Sequence, residues 1–234
     1  MSIVNRLILG DGLLGSELVK QSGWDYISRK NNDIDFTNIK TYEHMLSDCD
    51  EVINCIAYTD TYSVNRDTHW KVNYEGVANL VDLCNKLEKK IIHISTDYLY
   101  TYSKVGATEN DVPVHCSNWY GYTKLLADGY VQLKSNNFLL LRNTHKKTPF
   151  PYEKAWVNQI GNFDYVDVIT KYIVELIDNN AVGIYNIGTD VKTIYQLAKK
   201  TSSDVKPMYS MIDDTAPTNV VMDVSKLERF LKEK

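Results

Sequence analysis

The chain has 234 residues, with 26 Lys plus Arg against 30 Asp plus Glu, a formal net charge of −4, and 44% apolar residues. This composition excludes intrinsic disorder and fibrous repeats, and the slight acidity gives no general attraction to nucleic acid or to an anionic membrane surface. Apolar runs such as Phe138 to Leu141 fall far short of the ~20 residues that span a bilayer, so the expectation is a globular chain with no membrane partner. The apolar stretch before Gly10 is too short for a secretory leader, whose apolar core runs ~7 to 15 residues. Cys49, Cys55, Cys84 and Cys116 form no CxxC pair and do not cluster with the five histidines. Reduced thiols, a cytoplasmic location and no metal site are therefore expected.

In chain order, Asn5 to Leu9 reads as a short strand, followed by a glycine-rich turn and a helical stretch from Ser16 to Lys20. Trp24 to Ser28 is a second strand, the surroundings of Ile34 an extended piece, Asn38 to Leu46 helical, and Glu51 to Ala57 a strongly apolar strand. From Trp70 to Leu87, Val77, Val81, Cys84 and Leu87 recur at helical spacing. Strand Ile91 to Ser95, helix Gly121 to Leu133 and strand Phe138 to Leu141 follow. The tail continues with helix Val166 to Ile177, strand Gly183 to Ile187, helix Thr193 to Thr201 and helix Ser225 to Leu231, while Asn143 to Asn162 is irregular around Pro149 and Pro151. Strands alternating with helices predict an α/β fold, a doubly wound parallel sheet of the Rossmann type. Residues 1–142 would form the dinucleotide-binding domain, and 143–234 would complete the sheet and build a small, abridged C-terminal substrate lobe.

Gly10, Gly12 and Gly15 make G-x-G-x-x-G directly after a strand and at the opening of a helix. In that context Gly10 serves the tight turn, Gly12 the approach of a pyrophosphate and Gly15 close helix packing, with Leu13 and Leu14 between them at the helix N-terminus. The end of the second strand, where an acid would hold a ribose diol, carries Ser28, Arg29 and Lys30. Two cations and a hydroxyl suit a 2′-phosphate, so NADP, with NADPH preferred over NAD, is the expected cofactor.

Tyr120 and Lys124 form Tyr-x-x-x-Lys at the start of a helix, one turn apart on one face. A nearby ammonium would lower the phenol pKa from about 10 toward neutrality. Thr96 follows the strand Ile91 to Ser95, at the carboxyl edge where open α/β sheets bind ligands. Together the three groups have the chemistry for carbonyl reduction.

The chain resembles the extended short-chain dehydrogenases/reductases, and among them the dTDP-4-dehydrorhamnose reductases. The resemblance rests on Val52 to Thr59, similar to a strand ending in Ala-Ala-Tyr-Thr, on Val72-Asn73, and on His93-Ile94-Ser95-Thr96-Asp97-Tyr98-Leu99-Tyr100, similar to Ser-Thr-Asp-Tyr-Val-Phe. Thr108-Glu109, Pro113, Tyr120-Gly121 and Thr123-Lys124-Leu125 extend it, with weaker echoes in Tyr165 to Asp167, Gly183 to Ile187 and Met222 to Leu227. It implies a catalytic set of Thr96, Tyr120 as general acid and Lys124 on the nicotinamide ribose. It further implies Ala57 and Tyr58 beside the cofactor, Asp35 and Phe36 near adenine, and Asp97 or Tyr98 near a nucleotide-sugar substrate. A two-helix homodimer surface is compatible with such a fold. Leu9 stands where the first family glycine would fall, and Arg142 to Asn162 is short against the family. The implied activity is reduction of a 4-keto-6-deoxy nucleotide sugar. A sugar-nucleotide epimerase and a non-catalytic dinucleotide-binding regulatory subunit are the alternatives.

Overall fold

The computed structural model describes residues 4–115, 117–209 and 216–233. Six parallel strands form the central sheet, in the order Gly183–Asn186, Phe138–Arg142, Lys90–Ser95, Glu51–Asn54, Arg6–Leu9 and Asp25–Ile27. The second strand lies on one side of the first and the later strands lie on the other, so the order reverses at Arg6–Leu9. That reversal opens a crevice above the carboxyl ends of the strands.

Successive residues of the central strands explain why helices cover both faces. Leu7, Leu9, Val52, Ile91 and Leu140 point to one side, where Val77, Leu80, Val81 and Cys84 of the helix Gly76–Lys86 and Ala127 and Val131 of the helix Trp119–Lys134 bury them. Ile8, Ile53, Ile92, Leu139 and Leu141 point to the other, against Leu14 and Leu18 of the helix Leu13–Ser22 and Ile169, Ile173 and Leu176 of the helix Val166–Asp178. Strands apolar on both faces are the signature of a parallel sheet between two helical layers. The expected fold class is borne out. Cys49, Cys55 and Cys84 are free thiols, and Cys116 lies outside the described residues.

Several local expectations change. The stretch Asn38 to Leu46 forms two short turns, Ile39–Thr41 and Glu43–Leu46, instead of a helix. There the Thr41 hydroxyl accepts the Asp35 N–H and Tyr42 is fully buried, contacts that a continuous helix would break. The piece around Ile34 does not join the sheet. The helix expected from Trp70 begins at Arg66, where the Asn65 side chain accepts the Thr68 N–H. Its middle, Trp70–Glu75, is a wider turn in which the Gly76 N–H reaches the Lys71 carbonyl; such turns recur at functional sites.

The tail builds a small lobe from strands of two or three residues. Lys192–Thr193 and Asn219–Val220 flank Ile160–Gly161, Lys206–Met208 pairs with Lys154–Trp156, and His145–Lys146 pairs with Asp164–Tyr165. Thus the stretch 143–162, irregular in sequence, supplies one edge to each pairing. A buried ion pair ties sheet to helix beneath the lobe: Arg142 donates to Asp128 through both Nε, at 3.0 Å, and Nη2, at 2.7 Å. Among the described residues, no helix is long and apolar enough to cross a membrane.

Candidate active site

The first strand stops at Gly10, whose φ of 97° lies in the left-handed region that favours glycine. Its N–H donates to the Ile27 carbonyl at 2.8 Å, closing the turn. A Cβ on Gly15 would meet the Gly10 carbonyl oxygen at 2.0 Å, so the helix sits against the strand end only because Gly15 has no side chain. A Cβ on Gly12 would meet nothing within 4 Å of protein. Gly12 caps the helix Leu13–Ser22 without a side-chain acceptor, which leaves the first N–H groups directed outward at the crevice.

On one side of Gly12 lies a cavity of about 590 Å³ whose walls include Gly10, Arg29, Asp35, Phe36, Ala57 and Tyr58. On the other lies one of about 360 Å³, bordered by Gly12, Leu13, Leu14, Thr96, Tyr120 and Lys124. Beyond it a cavity of about 640 Å³ reaches into the lobe, where Tyr62, Tyr98, Lys146, Phe150 and Trp156 meet. Thr59, Thr61, Tyr98 and Lys146 line both of the last two, so the groove is continuous from the second strand to the lobe.

The three groups at its centre come from two elements. Thr96 directly follows the fourth strand, Lys90–Ser95, and is buried. Tyr120 stands in the first turn of the helix Trp119–Lys134, which Asn118 opens by accepting the Gly121 N–H at 2.7 Å. Thr96 and Tyr120 face one another across the cavity. Burial pushes the Tyr120 phenol up to about 12, with the Thr96 hydroxyl opposing the rise and Asp97 adding to it. This corrects the sequence expectation of a phenol lowered by Lys124. The lysine Nζ is instead drawn to the Ile94 carbonyl at 2.6 Å and to His93 Nε2 at 3.2 Å. Tyr120 therefore keeps its proton at neutral pH and stands as a donor. Lys124 itself is lowered to about 8 by burial, with Asp128 and Cys55 opposing.

Other predicted residues differ in how they meet the groove. Arg29 borders the outer cavity, whereas the buried Ser28 hydroxyl accepts the Asn31 N–H at the start of the turn Arg29–Asn32, and Lys30 is exposed and not among the lining residues. Asp35 borders the cavity while its carboxylate accepts from the Thr37 N–H and hydroxyl. Phe36 packs on Tyr42, with ring centroids 6.0 Å apart. Tyr58 is clamped through its backbone, its N–H donating to the Asn73 side-chain oxygen at 2.8 Å and its carbonyl accepting from the Asn73 amide at 3.0 Å. Tyr98 sets its ring edge-on to Tyr120, at 5.8 Å between centroids. Asp97 is fully buried behind Thr96 and accepts from the Thr144 hydroxyl at 2.5 Å; burial raises its carboxyl to about 6.

Sequence reasoning gave no role to Asn73, His93, Lys146 or Trp156. Asn73 and His93 lay inside motifs, and a polar residue in an otherwise apolar strand such as Ile91 to Ser95 was the available signal for His93. Lys146 and Trp156 gave none, because only the pairing of distant short strands brings them to the groove.

A glycine turn at the point where the strand order reverses, with a threonine and a Tyr-x-x-x-Lys helix across one cavity from it, defines the class: an extended short-chain dehydrogenase/reductase fold. A family profile described as the RmlD substrate binding domain matches residues 5–145, and the chain belongs to that family. It is 34% identical over 102 residues to the dTDP-4-dehydrorhamnose reductase of Mycobacterium tuberculosis, a match covering 41% of this chain and 34% of the relative. The corresponding reductase of Mycolicibacterium smegmatis is 30% identical over 128 residues, which cover 50% of this chain and 38% of that protein. The match thus spans little more than a third of these relatives' lengths. Among solved structures, the dTDP-4-dehydrorhamnose reductase of Bacillus anthracis in complex with NADP superposes with a TM-score of 0.79 at 22% identity, covering 100% of each chain. A UDP-glucuronic acid 4-epimerase from Bacillus cereus in complex with NAD gives 0.74 at 18% identity, over 99% of this chain and 91% of the other. At these identities the likeness is one of fold.

Proposed function

We propose that this chain is an NADPH-dependent reductase of a 4-keto-6-deoxy nucleotide sugar, converting the ketone to an alcohol. The observation that carries the reading is the convergence of Thr96, Tyr120 and Lys124 on one cavity beside Gly12 and the open helix N-terminus. Residues suited to a dinucleotide run the length of the groove: Arg29, Asp35 and Phe36 at the adenosine end, Gly10, Gly12 and Gly15 at the pyrophosphate, Ala57 and Tyr58 beyond. Arg29 favours a 2′-phosphate, hence NADPH over NADH; of Ser28, Arg29 and Lys30 it alone lines the outer cavity.

When bound, the nicotinamide supplies the hydride. The protein's part is the proton and the pose. Tyr120, protonated at neutral pH, donates to the carbonyl oxygen, and the Thr96 hydroxyl beside it fixes that oxygen. Lys124 holds the nicotinamide ribose. The substrate would enter by the lobe cavity, with Asp97 and Tyr98 near the sugar. Trp156, which lines that cavity, has a buried indole N–H with no acceptor among the described residues, a donor suited to a polar ligand.

The test is incubation with NADPH and a panel of 4-keto-6-deoxy nucleotide sugars, followed by reduced-cofactor absorbance and mass analysis of the sugar. Loss of absorbance with one alcohol formed per cofactor oxidised is expected. A changed sugar without cofactor consumption would replace the reading by epimerisation, and binding without turnover would replace it by a regulatory role.

A further inference from the structure

The third and fourth strands carry a buried polar column for which the reduction chemistry has no role. Asn54 ends one strand, His93 lies in the other, and both are fully buried. The Asn54 side-chain oxygen accepts the Ile56 N–H at 3.1 Å, so the amide NH2 is the group facing His93 Nδ1 at 3.2 Å. An NH2 group can only donate, which makes Nδ1 the acceptor and leaves the single imidazole proton on Nε2. Turning the amide over does not help, because its NH2 would then face the Ile56 N–H, donor against donor, in a fully buried site. Nε2 in turn stands 3.2 Å from Lys124 Nζ, which also donates to the Ile94 carbonyl at 2.6 Å.

We propose that Asn54 and His93 form a tautomer lock that sets the proton affinity of Lys124. The lock aims an N–H donor at Nζ, where a neutral amine can accept it. An ammonium there sets donor against donor, in a place where an unmatched polar group is costly. His93 is thus a positioning residue acting through Lys124. Burial works in the same direction on the lysine, while Asp128, further along its own helix, and Cys55, just past the third strand, favour its charged form. His93 is held neutral by burial and by Lys124. A loosely held third proton suits a lysine that helps restore the proton Tyr120 gives up. That consequence rests on the reductase reading, whereas the tautomer and the titration do not.

Nitrogen-15 NMR of the full chain reads both. The signals lost in His93→Gln identify His93 among the five histidines. The wild-type chain is expected to carry the His93 proton on Nε2. In Asn54→Asp the carboxylate can accept from both the Ile56 N–H and Nδ1–H, which moves the proton to Nδ1 and turns Nε2 into an acceptor. The Lys124 midpoint should then rise by about one pH unit or more, the scale expected for a nearby opposite charge and a favourable hydrogen bond. His93→Gln, with its amide oxygen turned to Nζ, should raise the midpoint too, and it gives the reading if Asn54→Asp fails to fold. A wild-type proton on Nδ1, or a Lys124 midpoint that moves in neither variant, would overturn the lock. The expected tautomer and midpoints in a chain that reduces no nucleotide sugar would support the lock and remove the reductase reading alone.

Discussion

Gly12 and Gly15 stand three residues apart in one turn, and the structure assigns them opposite vulnerabilities. A methyl group on Gly15 would lie 2.0 Å from the Gly10 carbonyl oxygen, and ordinary contact would need it more than about 1 Å further away. The obstacle is backbone at the end of a central strand, held by the bond from the Gly10 N–H to Ile27, so no side chain can swing aside. Overpacking costs typically ~1 to 3 kcal/mol, and a rigid backbone neighbour puts Gly15→Ala at about 3 kcal/mol or above. For a chain of this size that lowers Tm by roughly 6 to 12 °C. A methyl on Gly12 meets no protein atom within 4 Å, and its φ of −65° and ψ of −170° are open to alanine. Gly12→Ala should therefore stay within about 0.5 kcal/mol of wild type in urea unfolding, or lose slightly more with the N-cap change. It should weaken NADPH binding at least ~10-fold, because the methyl occupies the approach to the helix N–H groups. Urea melts paired with NADPH fluorescence titrations measure both quantities. Equal destabilisation by the two variants, or undiminished NADPH affinity in Gly12→Ala, would refute the division of labour.

Tyr120→Phe removes the proton donor but not the ring, so kcat should fall by ~10² to 10⁴ while NADPH affinity is unchanged; stopped-flow reduction and cofactor titration check this, and an undiminished kcat would take Tyr120 out of the reaction. Lys146→Met deletes a half-buried cation at the junction of the two inner cavities, and a lost charge-assisted contact predicts KM for the nucleotide sugar raised about 10- to 100-fold with kcat within about threefold. An unaltered KM would show that no anionic part of the substrate reaches it. Asp97 has a folded pKa raised from 3.8 to about 6, so its carboxylate costs stability that is absent below pH 4 and grows to roughly 3 kcal/mol as pH rises through 6. Asp97→Asn should thus raise Tm at pH 7 and leave it nearly unchanged at pH 4; thermal melts at the two values test the sign.

The sheet was legible because its strands are apolar on consecutive residues. Leu7, Ile8 and Leu9, or Leu139, Leu140 and Leu141, can only be buried between two helical layers, and that inference needs no distant information. That Thr96 and Tyr120 meet on one cavity was legible for a related reason: Thr96 follows a recognisable strand and Tyr120 opens a recognisable helix, and parallel topology delivers both to one edge. What failed depended on where side chains finally point. Lys124 sits one turn from Tyr120, yet its Nζ donates to the Ile94 carbonyl and lies against His93, so proximity in sequence did not become electrostatic support for a phenolate. Ser28 was read as a phosphate ligand from composition, but a serine preceding a turn is equally a cap, and the Asn31 N–H takes its hydroxyl.

The lobe was illegible for a deeper reason. Its strands are two or three residues long and find partners ~20 to 60 residues away, so neither periodicity nor turn chemistry encodes their pairing. Those pairings nevertheless set the walls of the inner cavity, through Lys146, Trp156 and Met208. Thr96, Tyr120 and Lys124, by contrast, are fixed by the sheet and by the buried Arg142 to Asp128 pair that anchors the helix of Tyr120 and Lys124 to the fifth strand. On the proposed reading, chemistry and selectivity are thus held by different physical means, a rigid core for the first and marginal short pairings for the second. The lobe can change its lining while Thr96, Tyr120 and Lys124 keep their places, so on the proposed reading substitutions in the lobe should bear on the choice of sugar more than on reduction.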